Sequence, residues 1–301
     1  MRILPAVVVL SGLAFSQSAW GADLPVKAPP PPAPVYSWTG FYLGGNVGSV
    51  FDDNNSVNVT TINTFNNNIP VLSPLGQTTG PAAAAATTVN ASQRWGDIAG
   101  GAQAGFNWQV APTWLLGLEA DIQGIGSHGA SFGLTQVVPR LGFPGDSVTG
   151  TVVATDNVNW LGTVRGRVGF LVTPSWLIYG TGGLAYGSVS SSTTISAAET
   201  PNTGTVISNT TGAFSSGTRT GWTAGFGVEA MVAPNFTIKA EWLHYDLGSA
   251  TYSNGQLVGT LIGTSTTAFI DASTSTVRFS GDIVRVGFNY IFGGAPTAAK
   301  Y

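Results

Sequence analysis

Trp222-Thr223-Ala224-Gly225-Phe226-Gly227-Val228-Glu229-Ala230-Met231-Val232-Ala233-Pro234-Asn235-Phe236-Thr237-Ile238-Lys239-Ala240-Glu241-Trp242 consists of two alternating runs joined by a short turn. Successive side chains of a strand point to opposite faces. One face therefore carries Trp222, Ala224, Phe226, Val228, Ala230 and Val232, then Phe236, Ile238, Ala240 and Trp242. The opposite face carries Thr223, Gly225, Gly227 and Glu229, then Thr237, Lys239 and Glu241. The same turn occurs at Val110-Ala111-Pro112-Thr113-Trp114 and at Val172-Thr173-Pro174-Ser175-Trp176, with prolines 62 and 60 positions apart. Long Ser/Thr/Asn/Gly stretches separate the hairpins. Tight turns at one end and long polar loops at the other predict an all-β fold, an eight-stranded antiparallel up-and-down transmembrane β-barrel.

Composition agrees. The chain is 43% hydrophobic and only 8% charged, against about 25% charged in a typical soluble domain. Its longest helix-compatible apolar run, Ile3 to Phe15, is too short to span a bilayer. With Arg2 before it and small residues after it, the run reads as a secretory signal peptide. Cleavage after Gly21 would leave Ala22 first, with cleavage after Ala19 or Ala22 as alternatives. Lipid-facing backbone must be hydrogen-bonded within the protein, so without spanning helices a closed barrel is the remaining solution. The chain has no cysteine, which excludes disulfides and thiolate metal sites, and its net charge of −3 gives no footing for nucleic acid. The expected organisation is a signal peptide at 1–21, a Pro-rich periplasmic segment at 22–37, the barrel at 38–292 and a short tail at 293–301. The prolines between Leu24 and Tyr36 make the second segment a stiff polyproline II spacer.

Parity assigns the strand faces. In the last strand Val284, Val286, Phe288, Tyr290 and Phe292 face lipid, while Ile283, Arg285, Gly287, Asn289 and Ile291 face the lumen. Tyr290 and Phe292 also form the C-terminal signal expected by the barrel-assembly machinery. The same reading puts Asp97, Glu119, Asp121, Arg165, Arg167, Glu229, Lys239, Glu241 and Arg285 in the lumen. Neighbouring strands set Glu119 and Asp121 opposite Arg165 and Arg167, Glu229 near Lys239, and Glu241 near Arg285. Buried charges are tolerated when paired, and an eight-stranded barrel is filled by its own side chains or holds one small ligand. Structural filling is the first reading of this network and a conductive path the second. The loops are expected at roughly 51–93, 127–156, 188–219 and 250–280.

Several segments, in their order and spacing, resemble the alphaproteobacterial Omp25/Omp31-type outer-membrane proteins. They are Trp38-Thr39-Gly40-Phe41-Tyr42-Leu43-Gly44-Gly45-Asn46, Ala104-Gly105-Phe106-Asn107-Trp108-Gln109, Gly117-Leu118-Glu119-Ala120-Asp121-Ile122-Gln123, Arg165-Gly166-Arg167-Val168-Gly169, Tyr179-Gly180-Thr181-Gly182-Gly183-Leu184-Ala185-Tyr186-Gly187 and Lys239-Ala240-Glu241-Trp242. The likeness runs from Ala22 to Phe292, outside the long loops. It implies an abundant, immunogenic porin-family barrel in the outer membrane of a Gram-negative bacterium, with loops extracellular and termini periplasmic. Its surroundings would be outer-membrane lipid and lipopolysaccharide. Attachment to peptidoglycan, ascribed to some relatives, would fall on Ala22. The residues themselves call for no cofactor; haemin, bound by some relatives, is the one the resemblance brings in.

Enzymatic chemistry is not expected. Gly124-x-Gly126-x-x-Gly129 matches a dinucleotide fingerprint by letter but lacks its strand–turn–helix context. His128 has no identifiable acidic partner and no nucleophile motif beside it. His244, next to Tyr245 and Asp246, reads as an interfacial anchor, with a haem ligand as the alternative. No metal-ligand spacing is present. The expected function is non-enzymatic: envelope stabilisation and surface interaction, with a peptidoglycan tether. A narrow passive porin and a loop-borne haemin or receptor binder are the alternatives.

Overall fold

The computed structural model describes residues 37–51, 55–66, 73–93, 96–126, 130–200, 206–215, 218–261 and 265–292. The expected signal peptide, Ala22, nearly all of the Pro-rich segment, His128 and the expected tail at 293–301 lie outside the described residues. Within them the chain forms β1 (Gly40–Phe51), β2 (Asn55–Asn66), α1 (Ser73–Thr87), β3 (Val89–Gln93), β4 (Gly96–Gln109), β5 (Trp114–Ile125), β6 (Ala130–Pro139), β7 (Ser147–Thr173), β8 (Trp176–Thr200), β9 (Val206–Ser215), β10 (Arg219–Ala233), β11 (Phe236–Leu261) and β12 (Thr267–Phe292).

Eight of these strands pair in a closed antiparallel circuit. The order is β1, β4, β5, β7, β8, β10, β11 and β12, and β12 pairs back onto β1. The three Pro turns close the β4–β5, β7–β8 and β10–β11 hairpins at one end. Asn235 adopts φ +69° in the last turn, a left-handed conformation that asparagine tolerates better than most residues. Its side-chain amide donates to the Ile291 carbonyl at 2.8 Å, and its own carbonyl accepts from the Ile291 N–H at 2.8 Å. The turn is thereby stitched to β12.

The alternation divides the circuit into two surfaces. Phe226, Val228, Ile238, Val286 and Phe288 are exposed, as are Leu43, Phe106 and Leu118 on the far strands. Their sequence neighbours Glu229, Lys239, Arg285, Tyr42, Asn107 and Glu119 are buried. An exposed apolar belt around a buried polar interior is the inverse of a soluble protein and matches lipid on the outside.

Three of the four polar stretches expected as loops are largely strand, and the first, 51–93, holds β2, α1 and β3. β7, β8, β11 and β12 run 27, 25, 26 and 26 residues, whereas a bilayer needs only about 9–11 per strand. Their far halves, with β2, β3, β6 and β9, build a lobe beyond the rim. Its strand order is β6, β7, β8, β9, β11, β12, β2, β3. α1 packs against β6, β7 and β8 from one end of this order and against β12 and β2 from the other, so the sheet curls around the helix. Ala83, Ala86, Val59, Val152, Ile195 and Phe269 belong to the buried apolar core of this region. Inward-pointing apolar positions supply that core, which is why Ser/Thr-rich strands can stand clear of the membrane.

Candidate functional site: a charge layer across the lumen

Four carboxylates and four cations meet in the middle of the circuit. Arg165 on β7 is its centre. One Nη reaches Glu119 at 2.5 Å and Asp121 at 2.8 Å, the other reaches Glu241 at 3.0 Å, and Nε donates to Thr163 at 2.9 Å. Arg285 on β12 bridges Asp121 at 2.7 Å and Glu241 at 2.6 Å. Lys239 on β11 donates to both Glu119 oxygens at 2.8 Å. Arg167 pairs with Glu229 at 2.6 Å. Glu119, Asp121, Glu229 and Glu241 thus balance Arg165, Arg167, Lys239 and Arg285, and the layer carries no net formal charge. All these side chains are buried. The fork geometry of arginine lets one cation hold several carboxylates at once.

The register explains most of these meetings, but the arrangement departs from the sequence expectation at Arg167, which lies opposite Gly117 rather than a carboxylate, at Asp121, which lies opposite Thr163, and at Glu229. Glu119 lies directly opposite Arg165, and Glu241 opposite Arg285. Glu229 also lies opposite Lys239, yet Lys239 turns to Glu119 across the lumen. Glu229 instead takes Arg167, Thr237 and Asn289. Facing side chains in a narrow tube are as close as strand neighbours, so adjacency along the sheet does not decide the partner. Asp97 departs too. It is half-buried near the start of β4, where its carboxylate accepts the Ile98 N–H at 2.7 Å. Gln103, opposite Asp121, marks the level of the layer on β4. Asp97 lies six residues before it, about 20 Å along the strand.

Two tyrosines complete the layer. Tyr42 donates to Glu119 at 2.7 Å, and Tyr179 donates to Glu241 at 3.0 Å. The Arg167 guanidinium also lies 4.0 Å from the Tyr179 ring centre, a cation–π distance. Inward glycines make room for both rings. A Cβ on Gly105 would collide with the Tyr42 hydroxyl, and one on Gly227 with that of Tyr179. Below the layer, Trp38 is fully buried with Leu115, Leu171, Leu177, Met231 and Ile291. Its indole N–H donates to the Pro174 carbonyl at 2.9 Å. Strand parity does not reveal this apolar stopper at the turn end, because Trp38 precedes β1.

The remaining sequence candidates lie elsewhere. His244 is partly exposed at the opposite rim, with Nδ1 2.9 Å from Asp282 and its ring 5.3 Å from that of Trp222. Tyr290 and Phe292 are on the exposed face, edge to face at 4.9 Å. Gly124 and Gly126 lie near and just past the end of β5, and the next described element is β6. The dinucleotide fingerprint therefore has no helix to serve among the described residues. Nor does any cluster of His, Cys, Asp and Glu among them fit a metal ion.

The chain has relatives among known proteins. Residues 6–292 match the outer membrane protein beta-barrel domain. The chain is 32% identical to the 31 kDa outer-membrane immunogenic proteins of Brucella melitensis and Brucella suis, over 95% of this chain and 99% of theirs. It is 33% identical to the 22 kDa outer membrane protein of Rhizobium leguminosarum, over 50% of this chain and 56% of that one. Among solved structures, OprG from Pseudomonas aeruginosa shares 13% identity at a TM-score of 0.34, covering 84% of this chain and 96% of that one. The fold is an antiparallel outer-membrane β-barrel, and the chain belongs to the outer membrane protein beta-barrel domain family as an Omp25/Omp31-type protein of the Gram-negative cell outer membrane.

Proposed function

We propose that this chain is an eight-stranded, non-enzymatic and non-conducting barrel that braces the outer membrane and presents a rigid lobe outside the cell. The observation that carries this reading is the neutral charge layer. Its cations and carboxylates are committed to one another from opposite walls, so an ion passing through would have to break several charge-assisted hydrogen bonds at once. The Trp38 stopper below and α1 above add two further obstructions. Planar-bilayer recording of the refolded protein tests the reading. We expect no stable steps in current; openings that grow in proportion to salt would replace it with a narrow porin.

The periplasmic side of the proposal is a tether. Ala22 would be bonded to peptidoglycan, and the prolines that follow would hold the barrel at a set distance from the wall, at about 3.1 Å per residue. Digestion of purified cell walls should release a muropeptide carrying the Ala22 segment. A free Ala22 amine on every recovered molecule rules the tether out. We read His244 as an interfacial anchor, since its ring packs on Trp222 and its Nδ1 engages Asp282.

A further inference from the structure

The lobe contains carboxylates without cations. The ladder between β2 and β12 starts at the pair Val57 and Val277. Among the described residues from that level outwards, Arg140 is the one basic side chain, and it is held by Glu199 at 2.7 Å and Asp146 at 3.2 Å. Asp271 on β12 and Asp156 on β7 are 0% and 1% exposed. The elements packed around Asp271 are α1, β2 and the far half of β11. Their described residues offer it no charged group, and Tyr252 is their one titratable side chain. Around Asp156, β6 has no charged residue, and the adjoining part of β8 has Glu199 alone.

Both aspartates are tied to the seat of α1. One Asp271 oxygen accepts from Asn63 at 2.6 Å, and Asn66 donates to Asn63 at 2.7 Å. The other Asp271 oxygen and the Asn66 side-chain oxygen are both buried acceptors without a donor. α1 presses directly on this trio. A Cβ on Gly80 would collide with the Asn63 amide nitrogen and with the Asn66 oxygen.

Asp156 lies opposite Ser191, whose hydroxyl is shared with Tyr252 at 2.7 Å. From Tyr252, hydrogen bonds run to Thr193 at 2.6 Å and on to Ser275 at 3.1 Å. Asn254 joins Ser275 to Ser273, and Thr61 joins Ser273 to the Thr87 carbonyl at the end of α1. Neither buried Asp156 oxygen has a hydrogen bond of normal geometry. A proton on each aspartate removes an uncompensated buried charge and turns one orphan acceptor into a donor.

We propose that α1 is a proton-held plug, seated in the lobe while Asp271 and Asp156 are protonated and loosened when they ionise. Burial raises Asp271 from 3.8 to about 7 and Asp156 from 3.8 to about 6, with Asn63 and Ser191 pulling the other way. Burial likewise holds Glu199 above its ordinary value, against the pull of Arg140, and Thr79 of α1 donates to it at 3.5 Å. A carboxyl raised in the folded state stabilises that state below its unfolded value, and the contribution is lost as pH climbs through the raised value. The seat is therefore firm in acid and released above neutrality. Each fully coupled aspartate moves the seated-to-released ratio about tenfold per pH unit within its window.

Hydrogen–deuterium exchange of residues 79–87, in the full chain refolded into lipid, reads this out as a protection factor corrected for the pH dependence of intrinsic exchange. Between about pH 5 and about pH 7 protection should fall by about 50-fold from Asp271 alone. Asp271→Asn should flatten the upper part of the profile and Asp156→Asn the lower part, with the barrel strands unchanged in both. A flat profile in the unaltered chain overturns the proposal, even if a variant fails to fold. So does an unaltered slope in folded Asp271→Asn. Recovery of protection by calcium above neutrality would assign the orphan oxygens to a cation and overturn it as well.

Discussion

Replacing Arg165 with alanine is expected to destabilise the barrel by about 3–5 kcal/mol, the usual consequence of removing one member of a buried ion pair. The loss does not come mainly from the Coulomb energy of the bonds removed. It comes from what is left behind: Glu119, Asp121 and Glu241 would remain in a closed lumen with one cationic partner fewer. Urea unfolding of protein refolded into lipid vesicles, with and without the substitution, measures the difference. Arg165→Lys should fall between the two, since it keeps the charge but not the planar fork that reaches three carboxylates. A loss below about 1 kcal/mol for Arg165→Ala, the range of exposed pairs, would mean that water enters the layer and screens it. The sealed lumen would then have to be given up as well.

The same chemistry placed on the outer surface should give opposite results at two heights. Leu118 is 67% exposed on β5, within the apolar belt, and Leu141 is 82% exposed in the turn after β6, on the lobe. In water both substitutions by arginine would be mild, within about 0.5 kcal/mol. In a bilayer, Leu118→Arg should cost about 2–4 kcal/mol, the range for arginine on the lipid face near the midplane. Leu141→Arg should stay near zero. Equal effects at the two positions, measured by the same urea unfolding in vesicles, would show that the belt does not face lipid.

The circuit of strands was legible because its signal is strictly periodic. Parity fixed by the Val-x-Pro-x-aromatic turns puts Glu119, Arg165, Lys239 and Arg285 on one face without any knowledge of their partners. The partners themselves depend on the width of the tube and on side-chain reach, neither of which is written along a strand. That is why Glu229 meets Arg167 rather than Lys239. The lobe was hidden for a different reason. Its inward positions alternate small apolar residues with Ser, Thr and Asn, so they lack the contrast of a lipid-facing belt. α1 was harder still. Its Ala82 to Ala86 run favours a helix, but Pro81 precedes it and no charged residue marks either end. A segment of that kind is helical because the lobe packs around it, a tertiary cause without a local signature.

The two halves of the long strands also differ in their connectivity. In the membrane part every strand has two hydrogen-bonded neighbours, so that part cannot widen without tearing a ladder. In the lobe the order begins at β6 and ends at β3, and no ladder joins them among the described residues. Along that seam the wall around α1 can part while every backbone ladder stays intact. Access to the interior of the lobe is governed there by side-chain packing and by the helix itself. The sheet acts as a cuff fastened at its base and unfastened along one edge.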